Sequence, residues 1–549
     1  MNRALAIALF AGSLAFAPLA PAQPTRADAE KDPVLKAMLT ELDRSMAKLQ
    51  LPGFARPFFI QYRIEDVDDF VTTAEFGATE GSSRTHERIA HVIVRVGDYK
   101  TDSSGGRGDG ATELAGLDND PIAIRSALWM ATDEAYKNAL AAYAQKQAAL
   151  KQVQTPPQAD DFSHEKPLIS LADPAHLSVD ESAWADRVAR ASGLYRTDPT
   201  VKADERDVQY CTARYHALAV TTWLVTSEGT IVRKPMTEYE EAFAAGTQAA
   251  DGMRLDRSFA SSGTSPSDID SEQTFNQQAV GQIVSLGELR NAPLVQDEYH
   301  GPLLMSSDAG ADTMRALLAG SVIATRPKLG TEARTNGPFA SSYQTRVMPE
   351  FFSVVDDPTL KTFDGKGLLG AYDVDDEGVP AHPVALVDQG RLVNYLLGRE
   401  PVKDFPASNG HGRAGLATGP RPAIAVLKVT AAQGFTDAEL NQKLLDMAKQ
   451  SGLPSVYYVQ TLAGARNPRL LYRVTPDGKR QLVRGAVLDD VDTRALRSSI
   501  VAAGKDEWVA NYFGELPQTV IAPALLFDDV TVKRANEKNE KLPFYSPPE

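Results

Sequence analysis

The chain has 549 residues, 43% of them apolar and 23% charged, with 57 Lys and Arg against 72 Asp and Glu and a formal net charge of −15. This composition excludes a wholly disordered or collagen-like chain and argues for two to four domains at about 100–200 residues each. The acidic balance excludes nucleic acid as the main partner, because such a surface repels phosphate backbones. The single cysteine, Cys211, excludes an intramolecular disulfide, a four-cysteine zinc knuckle and a CxxC redox pair, and reads as a small core residue.

Arg3, the apolar run from Ala4 to Ala17 and the small-residue site Ala20-Pro21-Ala22 before Gln23 read as a secretory signal peptide over residues 1–22. The run is shorter than the ~20 apolar residues of a spanning helix. The only cysteine is far from the cleavage site, which excludes a lipoprotein. The expectation is an exported, soluble chain, periplasmic, with no membrane span after cleavage.

Residues 34–50 carry Val34, Leu35, Met38, Leu39, Leu42, Met46 and Leu49 at helical spacing, and Leu51-Pro52-Gly53 ends that helix. Residues 57–81 read as two extended runs, and the segment from Arg88 to Asp102 as another, all dense in β-branched residues. Ser103 to Gly110 is a Gly-rich loop whose Arg-Gly-Asp is a chance tripeptide. Residues 121–152 predict a long amphipathic helix, and residues 179–195 another with Asp180 as N-cap. Two β-rich runs follow, joined by a tight turn at Ser227-Glu228-Gly229. Residues 258–275 are rich in Ser and Thr, lack periodicity and read as a loop or a domain-edge segment. A short helix follows over residues 277–292. Beyond about residue 297 short strands and Gly and Pro turns prevail, with one clear late helix over residues 435–452, capped by Thr436 and ended by Gly452. Helix and strand mix without strict alternation, so the fold class is α+β. The division is an N-terminal mixed α/β sheet domain over residues 23–295 and a β-rich C-terminal domain over residues 296–549.

His86-Glu87-Arg88-Ile89-Ala90-His91 matches HExxxH. A spacing of five puts the two imidazoles about 140° apart on a regular helix. Here His91 opens a β-rich run, and an odd separation on a strand sends the side chains to opposite faces. One exposed and one core-facing histidine is the expectation. Asp373 to Gly378 imitates the start of an EF-hand, but position twelve is Val384, where a bidentate Glu is needed. A hairpin turn packed by acidic side chains is expected instead. No GxSxG, GxxxxGK[ST] or strand-linked GxGxxG occurs. His164, His176 and His216 are isolated. His300, His382 and His411, with Asp356, Asp357, Asp376 and Glu377, are the only reservoir for a cryptic metal site.

Several segments are similar to the TldD/TldE (PmbA) family. Tyr299 to Leu304 resembles its Y-x-G-P-V-L strand. Phe351 to Pro358, with Asp356 and Asp357, resembles its sVvDDpt segment. Asp375-Asp376-Glu377-Gly378-Val379-Pro380 resembles its DDEGtp turn. Leu386 to Leu396, with Gly390, resembles a family hairpin, and Asn409 to Arg413 a Gly-rich stretch with His411 inserted. Val225 to Gly229 resembles the v-n-S-E-G turn. The resemblance implies the family's two-domain fold and a metallopeptidase assembly in which two related subunits enclose a cavity. It also implies a zinc held by HExxxH on a helix and by a cysteine of the sVvDD strand in the active subunit. Carried over to this chain, the histidine positions hold Arg315 and Gly320, the glutamate position Ala316 and the cysteine position Phe352. Arginine stays protonated and phenylalanine has no donor. The resemblance therefore implies the fold without the chemistry, with Asp356, Asp357, Asp375, Asp376, Glu377 and Gly378 in structural roles.

The expected function is that of a TldE-like, non-catalytic subunit of an exported peptidase. It would hold no cofactor itself, and an HExxxH-bearing TldD-like partner would hold the zinc. An extended peptide would enter the shared cavity. The alternatives are a stand-alone binding or scaffold protein, as a homo-oligomer, and a metallopeptidase with a non-standard site built from the scattered C-terminal histidines and carboxylates.

Overall fold

The computed structural model describes residues 24–105, 108 and 110–536, so the segment read as a signal peptide lies outside the described residues. No helix among the described residues is long and apolar enough to cross a membrane. The chain opens with α1 (Arg26–Ala29) and α2 (Pro33–Lys48); Asp32 caps α2 by accepting from the amides of Val34 at 2.8 Å and Leu35 at 3.2 Å. Next come β1 (Pro57–Glu75), β2 (Ala78–Val96), β3 (Ala111–Leu114), α3 (Pro121–Leu150) and β4 (Ile169–Leu171). They are followed by α4 (Glu181–Ser192), α5 (Leu194–Thr197), β5 (Tyr210–Thr226), β6 (Ile231–Gln248), β7 (Arg254–Gly263) and α6 (Glu272–Asn291).

The seven strands form one sheet in the order β3-β2-β1-β5-β6-β4, with β7 also paired to β6. Every pairing is antiparallel except β4 with β6. Side chains alternate across a strand, so the register sorts them cleanly. Tyr62, Ile64, Phe70, Tyr215, Trp223 and Phe243 fall on one face and are buried with residues of α2, α3, α4 and α6. Arg63, Glu65, His216, Lys234 and Glu238 fall on the other face. A face so polar can be covered only by groups that answer its charges.

The second half supplies that cover. Its elements are β8 (Tyr299–Met305), α7 (Ser307–Leu318), β9 (Phe352–Asp356), the hairpin β10 (Thr362–Phe363) and β11 (Lys366–Gly367), β12 (Val384–Asp388), β13 (Arg391–Leu392), β14 (Gly412–Arg413) and β15 (Arg421–Pro422). After these come β16 (Val426–Ala431), β17 (Gly434–Phe435), α8 (Asp437–Gln450), β18 (Val456–Ala463), β19 (Asn467–Val474), β20 (Arg480–Val483), β21 (Ala486–Leu488), α9 (Thr493–Ser498), β22 (Ile500–Tyr512) and β23 (Gln518–Arg534). Twelve of these strands form a sheet with the path β13-β12-β9-β16-β23-β8-β18-β19-β20, to which β22, β17 and β21 attach. The buried residues Met314 and Leu318 of α7 join Leu303, Met305 and Leu525 in the largest apolar cluster.

The halves are joined by buried ions. Arg399 is only 2% exposed. It donates to both oxygens of Glu228 in the β5–β6 turn, at 2.7 and 2.9 Å, and to the Ser163 carbonyl at 2.6 Å. Its guanidinium also lies 4.0 Å from the centre of the Phe162 ring. Arg63 donates to the carbonyls of Gly415 at 3.1 Å and Thr418 at 2.6 Å, and Lys234 to Asp376 at 2.7 Å.

The α+β class, the long helix over 121–150, the Asp180 cap, the Ser227-Glu228-Gly229 turn and the Thr436 cap are all present as the sequence predicts. Three readings are corrected. Residues 258–275 are a loop only over 264–271: Arg254–Gly263 is a strand paired with β6 along its whole length, and α6 already starts at Glu272 behind the Ser271 cap. The strand sets Ala260 opposite Ala242 and Ser258 opposite Ala244, and its apolar contribution to the core is sparse, from Leu255 and Phe259. The helix expected to be short is 20 residues long. The second and third extended runs are one strand, β2.

Glu228→Ala leaves the Arg399 guanidinium buried without its carboxylate. The expected loss in a urea unfolding titration is about 3 kcal/mol, the range for removing one partner of a buried ion pair. A loss below about 0.5 kcal/mol would show that the pair does not hold the halves together.

Candidate functional site

Between the polar face of the first sheet and the second half runs the turn from β22 to β23, residues 512–518. Each residue type in it meets a different wall. The Tyr512 hydroxyl donates to Asp312 of α7 at 2.7 Å, and the Arg315 guanidinium lies 4.1 Å from the centre of the Tyr512 ring. Arg315 Nε also donates to Gln518 Oε1 at 3.1 Å. Phe513 packs on His216 of β5, ring centres 4.5 Å apart. The Pro517 carbonyl accepts from Arg413 at 2.6 Å, and the same guanidinium nitrogen donates to the Ile424 carbonyl at 2.8 Å.

The wall formed by the first sheet is rich in titratable groups. The register sets Asp69, Leu218 and Glu238 side by side, and beside them Val71, His216 and Glu240. His216 shares a hydrogen bond with Asp69 through Nε2, and Arg214 donates to its Nδ1 at 2.6 Å. Glu238 is 1% exposed, and neither of its oxygens has a hydrogen-bond partner. Burial pushes its pKa up to about 8; the Arg413 charge opposes the rise and Glu240 adds to it. Burial likewise raises Glu240. At neutral pH Glu238 is thus mostly a neutral acid. On α7, burial and then the neighbouring Asp312 push Asp308 up to about 6. Arg257 of β7 is pushed down to about 10 by burial, and donates to Thr461 at 2.9 Å and Ser285 at 3.2 Å.

The acidic turn over 375–378 forms a second joint. Asp375 accepts from the amides of Glu377 at 3.0 Å, Val379 at 2.8 Å and Gly412 at 3.0 Å. Asp376 takes Lys234 and the Ala414 amide at 2.8 Å. Glu377 accepts from the Arg399 amide at 2.6 Å. Gly378 has φ +80, and a Cβ there would stand 2.6 Å from Thr230 of the first half. Only glycine meets both demands. Asp356 accepts from the amides of Ala425 and Val426 at 3.0–3.2 Å, and His411 Nε2 lies 3.1 Å from it. Asp357 accepts from the amide and hydroxyl of Thr359. These acids answer backbone amides and cations, and the turn is no calcium loop; Val384 lies on β12.

The positions singled out for a zinc do not fit one. Arg315 is engaged by Tyr512 and Gln518, Ala316 and Gly320 are exposed, and Phe352 is fully buried on β9 against Phe351. None offers a lone pair to a metal. The other histidines are dispersed. His300 meets Glu298 and Thr531, His382 the Pro380 carbonyl, and His411 Asp356. Among the described residues no group of three or more His, Cys, Asp and Glu is placed to hold a metal ion. His86 and His91 sit on β2, the first half-exposed and bonded to Asp66, the second buried and pushed down to about 3 by burial and by Arg63. Their opposite faces are as expected from the strand spacing. Glu238 and the 512–518 turn carry no motif. The alternation of Glu238 and Glu240 around Tyr239 on a strand was the available signal.

Residues 301–534 match the PmbA/TldA metallopeptidase C-terminal domain. A curated metalloprotease of Synechocystis, slr0863, is 27% identical over 196 residues; the match spans 34% of this chain and 38% of that relative's length. The solved structure of TldE from Thermococcus kodakarensis covers 90% of this chain and 99% of its own, with a TM-score of 0.58 and 14% identity. A Thermotoga maritima structure described as a candidate modulator of a DNA gyrase covers 86% of this chain and 96% of its own, with a TM-score of 0.57 and 16% identity. At these identities the likeness is one of fold.

A group whose folded pKa is raised favours the folded state while protonated. Glu238 therefore contributes stability that is complete below the ordinary carboxylate value, about 4.3, and is lost as pH rises through its folded value near 8. Glu238→Gln is expected to melt with the wild type at pH 5 and above it at pH 9, by thermal denaturation monitored by circular dichroism. A difference that does not change between those two pH values would show that Glu238 does not titrate in this window.

Proposed function

We propose that this member of the TldD/TldE (PmbA) family is a non-catalytic, TldE-like subunit of an exported metallopeptidase, working beside a partner that carries HExxxH. The observation that carries the reading is the identity of four residues. Arg315, Ala316, Gly320 and Phe352 stand where the resemblance requires two imidazoles, a carboxylate and a thiolate. The zinc, and the general base beside it, would then belong to the partner. Export rests on Arg3, the run Ala4 to Ala17 and the Ala20-Pro21-Ala22 site.

This chain's own contribution would be architectural. Its polar sheet face, with the partly exposed His216 and Glu240, and the 512–518 turn would form one wall of a shared cavity. An extended peptide is held in such a site mainly through its backbone, with acidic groups favouring basic side chains.

Zinc content and peptidase activity of the purified mature chain test the reading, alone and mixed with an exported HExxxH-bearing homologue from the same genome. The expected result is no stoichiometric zinc and no activity alone, with activity in the mixture. One zinc per chain with activity alone would overturn it. A homo-oligomer indifferent to the homologue would favour the stand-alone scaffold.

A further inference from the structure

The first sheet has one open flank. β2 is paired with β1 along its length, but on its other side β3 covers only Ile89 to Val92. From Ala78 to Glu87, among the described residues, no strand lies beyond β2, and β3 is itself the outermost strand. Every second residue of such an edge turns its N–H and C=O outward, which invites a further strand.

Large apolar side chains flank the same edge. Leu114, at the end of β3, is 68% exposed and lies opposite Ile89. Leu117 follows in the connection to α3. On α3, which packs against β2 and β3, Ile122 is 65% exposed and Trp129 52%, with Met130 beside it. Ile122 and Trp129 are seven residues apart, so they share one side of the helix. An open edge with exposed apolar groups around it is more than scattered surface hydrophobicity.

The charges say what can cover it. Residues 111–137 hold Glu113, Asp118, Asp120, Asp133 and Glu134 against two basic residues, Arg125 paired with Glu41 and Lys137 with Asp133, which leaves Glu113, Asp118 and Glu134 as the acidic excess around the patch. A second copy of this chain would bring like charges together across a two-fold axis, a costly juxtaposition. A partner with a free strand edge, apolar side chains and a basic rim meets all three features. We propose that this flank, from the β2 edge across β3 to the outer side of α3, is the docking surface for a distinct, basic-rimmed subunit. Resting on the function proposed above, that subunit is the HExxxH-bearing one.

The test measures association of the two purified mature chains by sedimentation velocity, with melting curves to show that each variant folds. Trp129→Asp and the pair Leu114→Lys with Ile122→Lys are expected to weaken the complex at least about tenfold, the scale of a buried aromatic anchor. Trp508→Asp, at an exposed tryptophan of the second sheet, is expected to leave it unchanged. Glu113→Lys with Asp118→Lys should slow association and flatten its salt dependence. Folded flank variants that bind as the wild type does would overturn the surface while leaving the proposed function standing. Wild-type chains that do not associate would overturn both. A wild-type homodimer broken by Trp129→Asp would show that a second copy covers the flank, and would also overturn the proposal.

Discussion

The structure depends on charges buried between two sheets. The first sheet has one apolar face under helices and one polar face, and the polar face is covered rather than exposed. Covering it removes Arg63, Arg399, Glu228 and Lys234 from much of their water, and each then needs a partner. Arg399 meets Glu228 in a two-bond fork, Lys234 meets Asp376, and Arg63 meets carbonyls of the 415–418 loop. The relative placement of the two halves follows from these bonds, because apolar packing alone is indifferent to small slides and a fork is not.

The same requirement gives the acidic turn its role. Three consecutive acids in a solvent-facing loop would repel one another. Here Asp375 is consumed by backbone amides, Asp376 by a lysine of the other half, and Glu377 by the amide of Arg399. The turn couples the glycine-dependent backbone at Gly378 to the ion pairs at the joint. Glu238 is the exception in this scheme, a buried carboxyl whose oxygens accept no hydrogen bond. Its raised pKa is the consequence: the group escapes the penalty of a buried charge by holding a proton.

The four positions that the resemblance assigns to a zinc carry no side chain that can ligate it. Arg315 is stacked on Tyr512 and bonded to Gln518, so that corner of α7 is filled and cationic. Phe352 is an interior residue of the second core. The fold shared with TldE is thus compatible with a chain whose chemistry, as proposed, resides in another subunit, since fold and site vary independently.

What the sequence determined by itself was local. Helical spacing, caps at Asp180 and Thr436, the Ser227-Glu228-Gly229 turn and the alternating strands all depend on neighbours within a few residues, and all were legible. The strand parity of His86 and His91 was enough to separate them. The tertiary structure alone decided the strand at Arg254–Gly263, which pairs with β6 along its whole length and turns Leu255 and Phe259 toward the apolar cluster under α6. It also decided which lone acids are satisfied and which is not. Glu238, Glu377 and Asp375 look alike in a sequence. Their differences come from the groups the fold sets beside them: backbone amides for Asp375 and Glu377, and no hydrogen-bond donor for Glu238.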